Sequence, residues 1–499
     1  MTRTAFLLLS IGLCALSVES FSQYVIMYPY LFDPYTYSSP SMSTAYLQLP
    51  RPGDSYRSVR VRSLAEGFSG LISDPYTDHF RNPGVRVHDQ PVEVFGDFGS
   101  MNDQGKFLFG AFGETPTGTL TGSVRLERLS KYTSSSTTTQ PQPSPYTYEY
   151  STEFSPEKAG GRLAYTWALP DEQSFGVSYE YLHDRYNNIY KSNSNSSSPG
   201  FTSITTSTRD YSQGGDVHVA GIGGVIQKET GSIALRGRGV FSSYTITNVY
   251  DYRQISGGFH FYTIVNYPTD VKTKGLLAGV VFDSETDGGG KVRFLVDLAY
   301  TSYEANGTIT ERYENGDSLN LSGNTRTGQH SATGSIVDVL IGAGYEKRIV
   351  EKLTGVAGFS VNYVRNAGDY SERRTQTYFG TGTQPPPVTT ALTSTIDLDG
   401  FDVRLPLGVE YFPFEHLTLR GGVEARYRSG EISTTQNSSI IFPPSPGSST
   451  KYNVTQRGLS FAANFGVSAH HQEYGEVGVF FGKNLSDTTL WSFFLRYFV

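Results

Sequence analysis

The side chains that could carry reaction chemistry are few and scattered. His183, His218, His260, His330, His416, His470 and His471 are spread through the chain. No two have metal-ligand spacing on one strand face, and the adjacent His470 and His471 point to opposite faces beside a turn. The one cysteine, Cys14, lies in an N-terminal apolar run. No serine nucleophile motif stands out. Gly221–Gly224 falls within a strand, where the lack of a side chain is a simpler reading than a phosphate loop. The sequence therefore predicts no enzyme, no metal and no cofactor. What recurs instead is charge alternating with apolar residues, and the chemistry of that pattern is electrostatic.

Three stretches show it. Val292, Phe294, Val296, Leu298 and Tyr300 alternate with Arg293, Asp297 and Thr301. Phe401, Val403, Leu405, Leu407, Val409 and Tyr411 alternate with Asp402, Arg404, Gly408 and Glu410. Leu417, Leu419, Val423, Ala425 and Tyr427 alternate with Thr418, Arg420, Glu424, Arg426 and Arg428. A strand sends the two sets to opposite faces. If the apolar face meets lipid, a charge there near the midplane costs about 2–4 kcal/mol, so the charged face must line a lumen. By the same reasoning Arg236, Arg238 and Asp338 join Arg293, Asp297, Asp402, Arg404, Glu410, Arg420, Glu424 and Arg426 on the lumen wall.

Composition agrees with a barrel in lipid. The chain has 499 residues, with 14% aromatic and 17% charged residues, against about a quarter charged in soluble proteins. After the N-terminus no apolar run is long enough for a transmembrane helix, which leaves a closed barrel as the way to cross a bilayer. A net charge of −7 is poor footing for a nucleic-acid partner. Residues 1–22 read as a secretory signal peptide: Arg3, the apolar run Ala5–Val18, then small residues. Cleavage there removes Cys14.

The last stretch, TLWSFFLRYFV, places Trp491, Phe493, Leu495, Tyr497 and Val499 on one face. It resembles the C-terminal strand of bacterial outer-membrane β-barrels, which the barrel-assembly machinery reads as an alternating aromatic and hydrophobic tail; here Phe498 is penultimate and Val499 last. Upstream, Val61, Leu64, Ala65, Phe68 and Ile72 fall at helical spacing, Asp74-Pro75 stops the run, and Asn82-Pro83-Gly84 follows. The segment SLAEGFSGLISDPYTDHFRNPG resembles the N-terminal signature of FadL-like outer-membrane transporters of hydrophobic compounds. In that family a small amphipathic helix, an acidic pair and an Asn-Pro-Ala motif form a plug. The plug motif carried over is Phe68, Asp74, Asn82, Pro83 and Gly84, with Asp74 alone of the acidic pair and Gly84 in place of Ala.

The predicted architecture is all-β: a transmembrane antiparallel up-and-down barrel of about 16 strands, with 14 the alternative, and a small N-terminal plug. Residues 1–22 are the signal peptide, 23–90 a periplasmic or plug segment, and 91–499 the barrel. Strands of about 9–14 residues are expected, starting near Val92, Lys106, Thr119, Gly161, Ser174, Asp216, Ser232, Gly275, Val292, Ser335, Leu353, Gly400, Leu417, Gly458, Gly475 and Thr489. Short turns alternate with long polar loops such as Asn306–Thr333 and Gly368–Thr395. Glycines on the lumen face, including Gly342, Gly344, Gly358 and Gly408, are expected either for strong strand curvature or for the close approach of a plug. With a short turn through Phe412–His416, Arg404 would oppose Glu424 and Asp402 would oppose Arg426.

Two functions follow. One is an outer-membrane channel or transporter with both termini periplasmic, outer-membrane lipid around it, and, by the resemblance, a hydrophobic small molecule as ligand. The other is a structural or partner-binding barrel, for example a secretion-associated one, without transport.

Overall fold

The structure is a computed structural model. It describes residues 24–28, 45–49, 58–87, 92–101, 104–128, 132–140, 146–198, 201–317, 320–471, 475–481 and 491–498. The signal-peptide reading, Cys14, the turn at 472–473 and Val499 lie outside these residues.

Sixteen strands close into one antiparallel barrel, each paired to its neighbours in sequence and the last paired to the first. They are β1 (Val92–Met101), β2 (Gln104–Thr115), β3 (Gly118–Arg128), β4 (Tyr146–Ala168), β5 (Ser174–Ser198), β6 (Phe201–Lys228), β7 (Gly231–Ser256) and β8 (Phe259–Glu285). They continue with β9 (Gly290–Gly316), β10 (Leu321–Val350), β11 (Leu353–Phe379), β12 (Val388–Phe414), β13 (Leu417–Phe442), β14 (Ser445–His471), β15 (Gly475–Phe481) and β16 (Trp491–Phe498). An additional strand, Tyr132–Gln140, pairs with the outer end of β4. A separate two-stranded pairing joins Tyr24–Tyr28 to Ala45–Leu49. Among the described residues no helix is long and apolar enough to cross a membrane.

The strand starts expected from the sequence between Val92 and Gly475 each fall in their own barrel strand, and the start expected at Thr489 lies outside the described residues, yet the expected strand lengths are too short. β4 to β14 run 23 to 30 residues, where about 9–11 suffice to cross a bilayer. The segments read as long loops are mostly strand: Asn306–Thr333, for example, is the outer end of β9 paired with β10 around a tip at 317–320. These outer ends are rich in Ser and in Thr and Tyr, the last two of which favour strands. With water on both sides they carry no apolar alternation, so period-2 reasoning loses them where the lipid ends.

Aromatic girdles mark where lipid begins and stops. Tyr181, Tyr300, Tyr363, Phe401 and Tyr427 are exposed on the outer face at one level. Trp167, Phe175, Phe282, Tyr345, Tyr411 and Tyr497 are exposed near the short-turn end. Between them the outer face carries Phe294, Val296, Leu298, Leu405 and Leu407, all exposed. On β9 the apolar set runs from Val292 to Tyr300, which for a tilted strand spans roughly 20 Å along the barrel axis. Val403, Leu419 and Val423 share that face and are half-buried among their neighbours.

The β12–β13 register corrects the sequence expectation. Tyr411 pairs with Leu419, so Arg404 opposes Arg426, Asp402 opposes Arg428 and Pro406 opposes Glu424. The turn is tighter than expected, with Phe414 pairing Leu417, and the register shifts between Tyr411 and Phe414. Phe412 instead bonds through its N–H to the Lys352 carbonyl across β11, at 2.9 Å. A slip of two preserves which face each residue takes, because the strand period is two.

Candidate functional site: the short-turn half of the lumen

Residues 58–87 are built as two short helices. Helix α1 (Val59–Leu64) is capped by Ser58, whose hydroxyl accepts from Val61 N–H at 3.2 Å. A 3-10 turn, Glu66–Phe68, follows. Helix α2 (Pro75–Arg81) is capped by Asp74, which accepts from Thr77 N–H at 2.8 Å. The sequence reading took Asp74-Pro75 as a stop; it is a start, with the carboxylate at N-cap and the proline at N1. Ser58 Oγ also donates to Asp74 Oδ2 at 2.8 Å, so one cap holds the other.

This segment meets wall residues around nearly the whole circumference, which places it inside. Arg60 Nε donates to Glu410 Oε1 at 3.0 Å on β12, and its Nη2 lies 3.0 Å from Glu346 on β10. Arg62 pairs with Asp97 on β1. The Gly67 N–H donates to Glu424 Oε2 at 2.7 Å on β13. Arg293 on β9 donates to Asp78 Oδ2 and to the Ile72 carbonyl, each at 2.7 Å. Arg81 reaches Asp297 at 3.1 Å, and Asp297 also takes Arg236 Nε at 3.1 Å. These partners cluster toward the strand ends joined by short turns, so the segment occupies that half of the lumen.

Its last turn is held through backbone carbonyls. Arg162 donates to the His79 carbonyl at 3.0 Å, and Arg238 donates to the Phe80 carbonyl. Guanidinium groups thus satisfy carbonyls that the end of α2 leaves open and oppose its negative dipole end. Asn82 donates to Leu235 O at 3.1 Å and accepts from Gly84 N–H at 2.9 Å. The Pro83 and Gly84 carbonyls accept from Thr166 and Ser174 hydroxyls, each at 2.6 Å. A Cβ on Gly84 would stand 2.7 Å from the Gly223 backbone. Glycine where the resembled family has alanine is therefore required by the close approach of two backbones.

The apolar stripe is fully covered. Val61, Leu64, Phe68, Leu71 and Ile72 pack with Leu295 and Val356 of the wall. Leu64, Phe68 and Leu71 lie over wall glycines: a Cβ would come within 2.9 Å of Leu64 at Gly408 and within 3.1 Å of Leu71 at Gly358. A second apolar group joins Tyr76 and Phe80 to Phe95, Leu108 and Phe112.

The remaining charged residues named from sequence sit as follows. Arg236, Arg238, Arg293, Asp297, Asp338, Glu410, Arg420 and Glu424 are buried, and Asp402, Arg404 and Arg426 half-buried. Arg420 donates to Glu410 at 2.9 Å. Asp402 takes Arg426 Nε at 2.7 Å diagonally and Arg404 Nη2 at 3.0 Å along its own strand. Arg404 and Glu424 are not brought together, because Glu424 is turned to Gly67. Of the C-terminal set, Phe493, Leu495 and Tyr497 lie on the outer face, while Trp491 pairs through its backbone with Phe481 and Ser100.

Sequence reasoning missed the knot at the seam. Glu93 on β1 is fully buried, accepts from the Tyr76 hydroxyl of α2 and forms an ion pair with Arg496 of β16 at 2.9 Å. The Arg496 guanidinium stacks over the Tyr76 ring at 4.8 Å, a cation–π contact. The signal was present, since a single arginine stands on the inward face of an otherwise aromatic last strand.

No family model and no curated protein matches this chain. Among solved structures it is similar to the copper transporter OprC at 8% identity and a TM-score of 0.25, over 82% of this chain and 80% of that one. It is similar to the FrpB iron transporter from Neisseria meningitidis at 9% identity and 0.26, over 82% and 81%. It is similar to the ferric yersiniabactin uptake receptor FyuA from Yersinia pestis at 11% identity and 0.28, over 83% and 72%. At these scores the likeness assigns no relationship, and the architecture rests on the strand register itself.

Proposed function

We propose that this chain is a bacterial outer-membrane transporter in which residues 58–87 are a plug closing the periplasmic half of the lumen. The observation that carries the reading is the continuous set of wall contacts from Asp97 to Arg496 around that segment. The apolar band between two aromatic girdles supports the membrane setting. Both termini then lie on the periplasmic side, and the last strand serves as the signal for the assembly machinery.

The cargo we assign is a small hydrophobic compound. The FadL-like signature supports it, as does an apolar inner belt farther out in the barrel: Val217, Val240, Tyr244, Val271, Tyr303, Ile336 and Tyr370. A water-filled general pore would present polar walls there. The second reading, a partner-binding barrel without transport, is favoured by the ion pairs that tie Glu410, Asp297, Arg293 and Asp97 to the segment.

Planar-bilayer recordings on the full chain and on a chain lacking residues 24–90 separate the two. Transport through a plugged pore predicts low conductance for the full chain and a large, steady conductance for the shortened one. A shortened barrel that inserts and stays closed would overturn the plug.

A further inference from the structure

We propose that three arginines on the lumen face of β12 and β13, just beyond residues 58–87, bind a dianionic phosphate group, as the free ion or as a phosphomonoester. The site stands on the barrel wall and goes beyond the transporter reading. Its cations are Arg404, Arg426 and Arg428. Arg404 opposes Arg426 directly in the register, and Arg428 follows on the same face. Like charges set so close repel. Asp402 stands among them, and the first two arginines occupy it. Arg426 Nε donates to Asp402 Oδ1 at 2.7 Å, and Arg404 Nε and Nη2 donate to Oδ2 at 3.2 and 3.0 Å. Arg428 lies opposite Asp402 across the pair. Its Nε and Nη2 are nevertheless buried and have no hydrogen-bond partner among the described residues. These two N–H groups share one edge of the guanidinium, the fork that grips two oxygens of a single anion. Buried donors are rarely left without an acceptor, and a ligand oxyanion supplies one.

The neighbouring wall does not balance the cluster. Among the described residues the other inward carboxylates of β11–β14 are Glu372, Glu410 and Glu424. Glu372 pairs with Arg374, Glu410 with Arg60 and Arg420, and Glu424 accepts from the Gly67 N–H. Three guanidiniums to one carboxylate leave an excess that a dianion meets and a carboxylate only halves. Counting Glu424, one row nearer the short turns, still leaves the excess positive. Hydroxyls flank the cations: Ser360 opposes Arg404 on β11, and Ser460 opposes Arg426 on β14. Glycine leaves the room. Gly458 opposes Arg428 on β14, and a Cβ there would meet nothing within 4 Å. The next inward pair away from the short turns is Gly400 with Gly430. Phe401 and Tyr427 alternate with these residues, so the site lies level with the upper girdle. A solute entering from the end opposite the short turns meets it before it meets Gly67.

The test is calorimetric titration of the full chain, refolded in a non-ionic detergent, with inorganic phosphate, glycerol phosphate and acetate. Phosphate in one or both forms should bind at least about tenfold more tightly than acetate. Tighter binding of glycerol phosphate assigns the site to phosphomonoesters, and tighter binding of inorganic phosphate assigns it to the free ion. Arg428→Gln should weaken binding about tenfold or more. Arg457→Gln, on the outward face of β14, should change nothing. Gly458→Asp sets a carboxylate opposite Arg428; it should abolish phosphate binding and raise the Tm, and it keeps the test decisive if the glutamine variant does not fold. The proposal is overturned by a native chain that binds neither phosphate, by acetate binding as tightly as phosphate, or by equal losses in Arg428→Gln and Arg457→Gln. Phosphate binding that survives Gly458→Asp overturns it as well. Conductance of the full and shortened chains is read separately, so failure of this site leaves the transporter reading standing.

Discussion

The two halves of the lumen solve the same problem differently. In the half at the short turns, inward charges are matched by a separate piece of chain: Arg60 answers Glu410 and Glu346, Arg293 answers Asp78, and the Gly67 amide answers Glu424. In the outer half the sheet answers itself. Glu311 on β9 takes Arg374 at 2.7 Å from β11, Arg326 at 3.4 Å from β10, and the hydroxyls of Tyr267 and Tyr313. The lower arrangement can come apart as a unit without unfolding the wall. The upper one cannot, because its partners are the strands themselves. A movable closure belongs where the partners are on separate bodies.

The largest effect should follow Arg60→Glu, which places three carboxylates together. Leaving buried charge uncompensated costs about 3–5 kcal/mol. Conductance should rise and residues 58–87 should become protease-sensitive, while hydrogen exchange in outer β9–β11 stays unchanged. Exchange rising equally in both halves would erase the distinction. Next is Glu311→Ala, which leaves Arg374 to Glu372 alone and Arg326 to Gln376 alone, at a cost of about 1–3 kcal/mol. Faster exchange should appear in outer β8–β11, with conductance as before.

A smaller cost should follow Gly84→Ala. The added Cβ meets the Gly223 backbone, and overpacking of this kind costs about 1–3 kcal/mol. Loosening of the segment, read by labelling a cysteine placed at Ser73, should exceed that from Gly458→Ala, where a Cβ meets nothing within 4 Å. The smallest effect is pH-dependent and confined to the outer half. Burial, with Arg374 nearby, pushes His330 down to about 4. Between about 6.5 and 4 the open form holds the proton and the folded form does not. Stability present above 6.5 is therefore lost as pH falls through that window, by about 1–3 kcal/mol. His330→Gln should flatten the exchange-versus-pH curve in β10 and leave the lower lumen untouched.

Much of the wall was legible in the sequence because lipid imposes a strict alternation on it. Phe294, Leu298 and Leu405 could be placed on the outer face without coordinates, and Arg293 and Glu410 on the inner. The register of β12–β13 was not legible. Both the expected and the observed pairings keep every charge inside, and only the turn at Phe414 decides between them. Helix α2 was hidden because Asp74-Pro75 reads equally well as the end of a helix and as the cap and first residue of one. The outer ends of β4–β14 were hidden because Ser- and Thr-rich strands between two aqueous phases resemble loops. The partners of the segment could not be read at all, since Arg60 and Glu410 are joined by three-dimensional closure and not by spacing.

The seam knot has a consequence for how the molecule comes to be made. Glu93, Tyr76 and Arg496 bring the first barrel strand and the segment before it against the last strand of the chain. Nearly the whole polypeptide must be synthesised before these groups can meet, and contacts so distant in sequence are slow to form. Until then Glu93 is a carboxylate without its guanidinium, in a place that will later be dry. Closure of the ring and seating of Tyr76 consequently become one event, and a barrel that closed without the segment would strand that carboxylate at its joint.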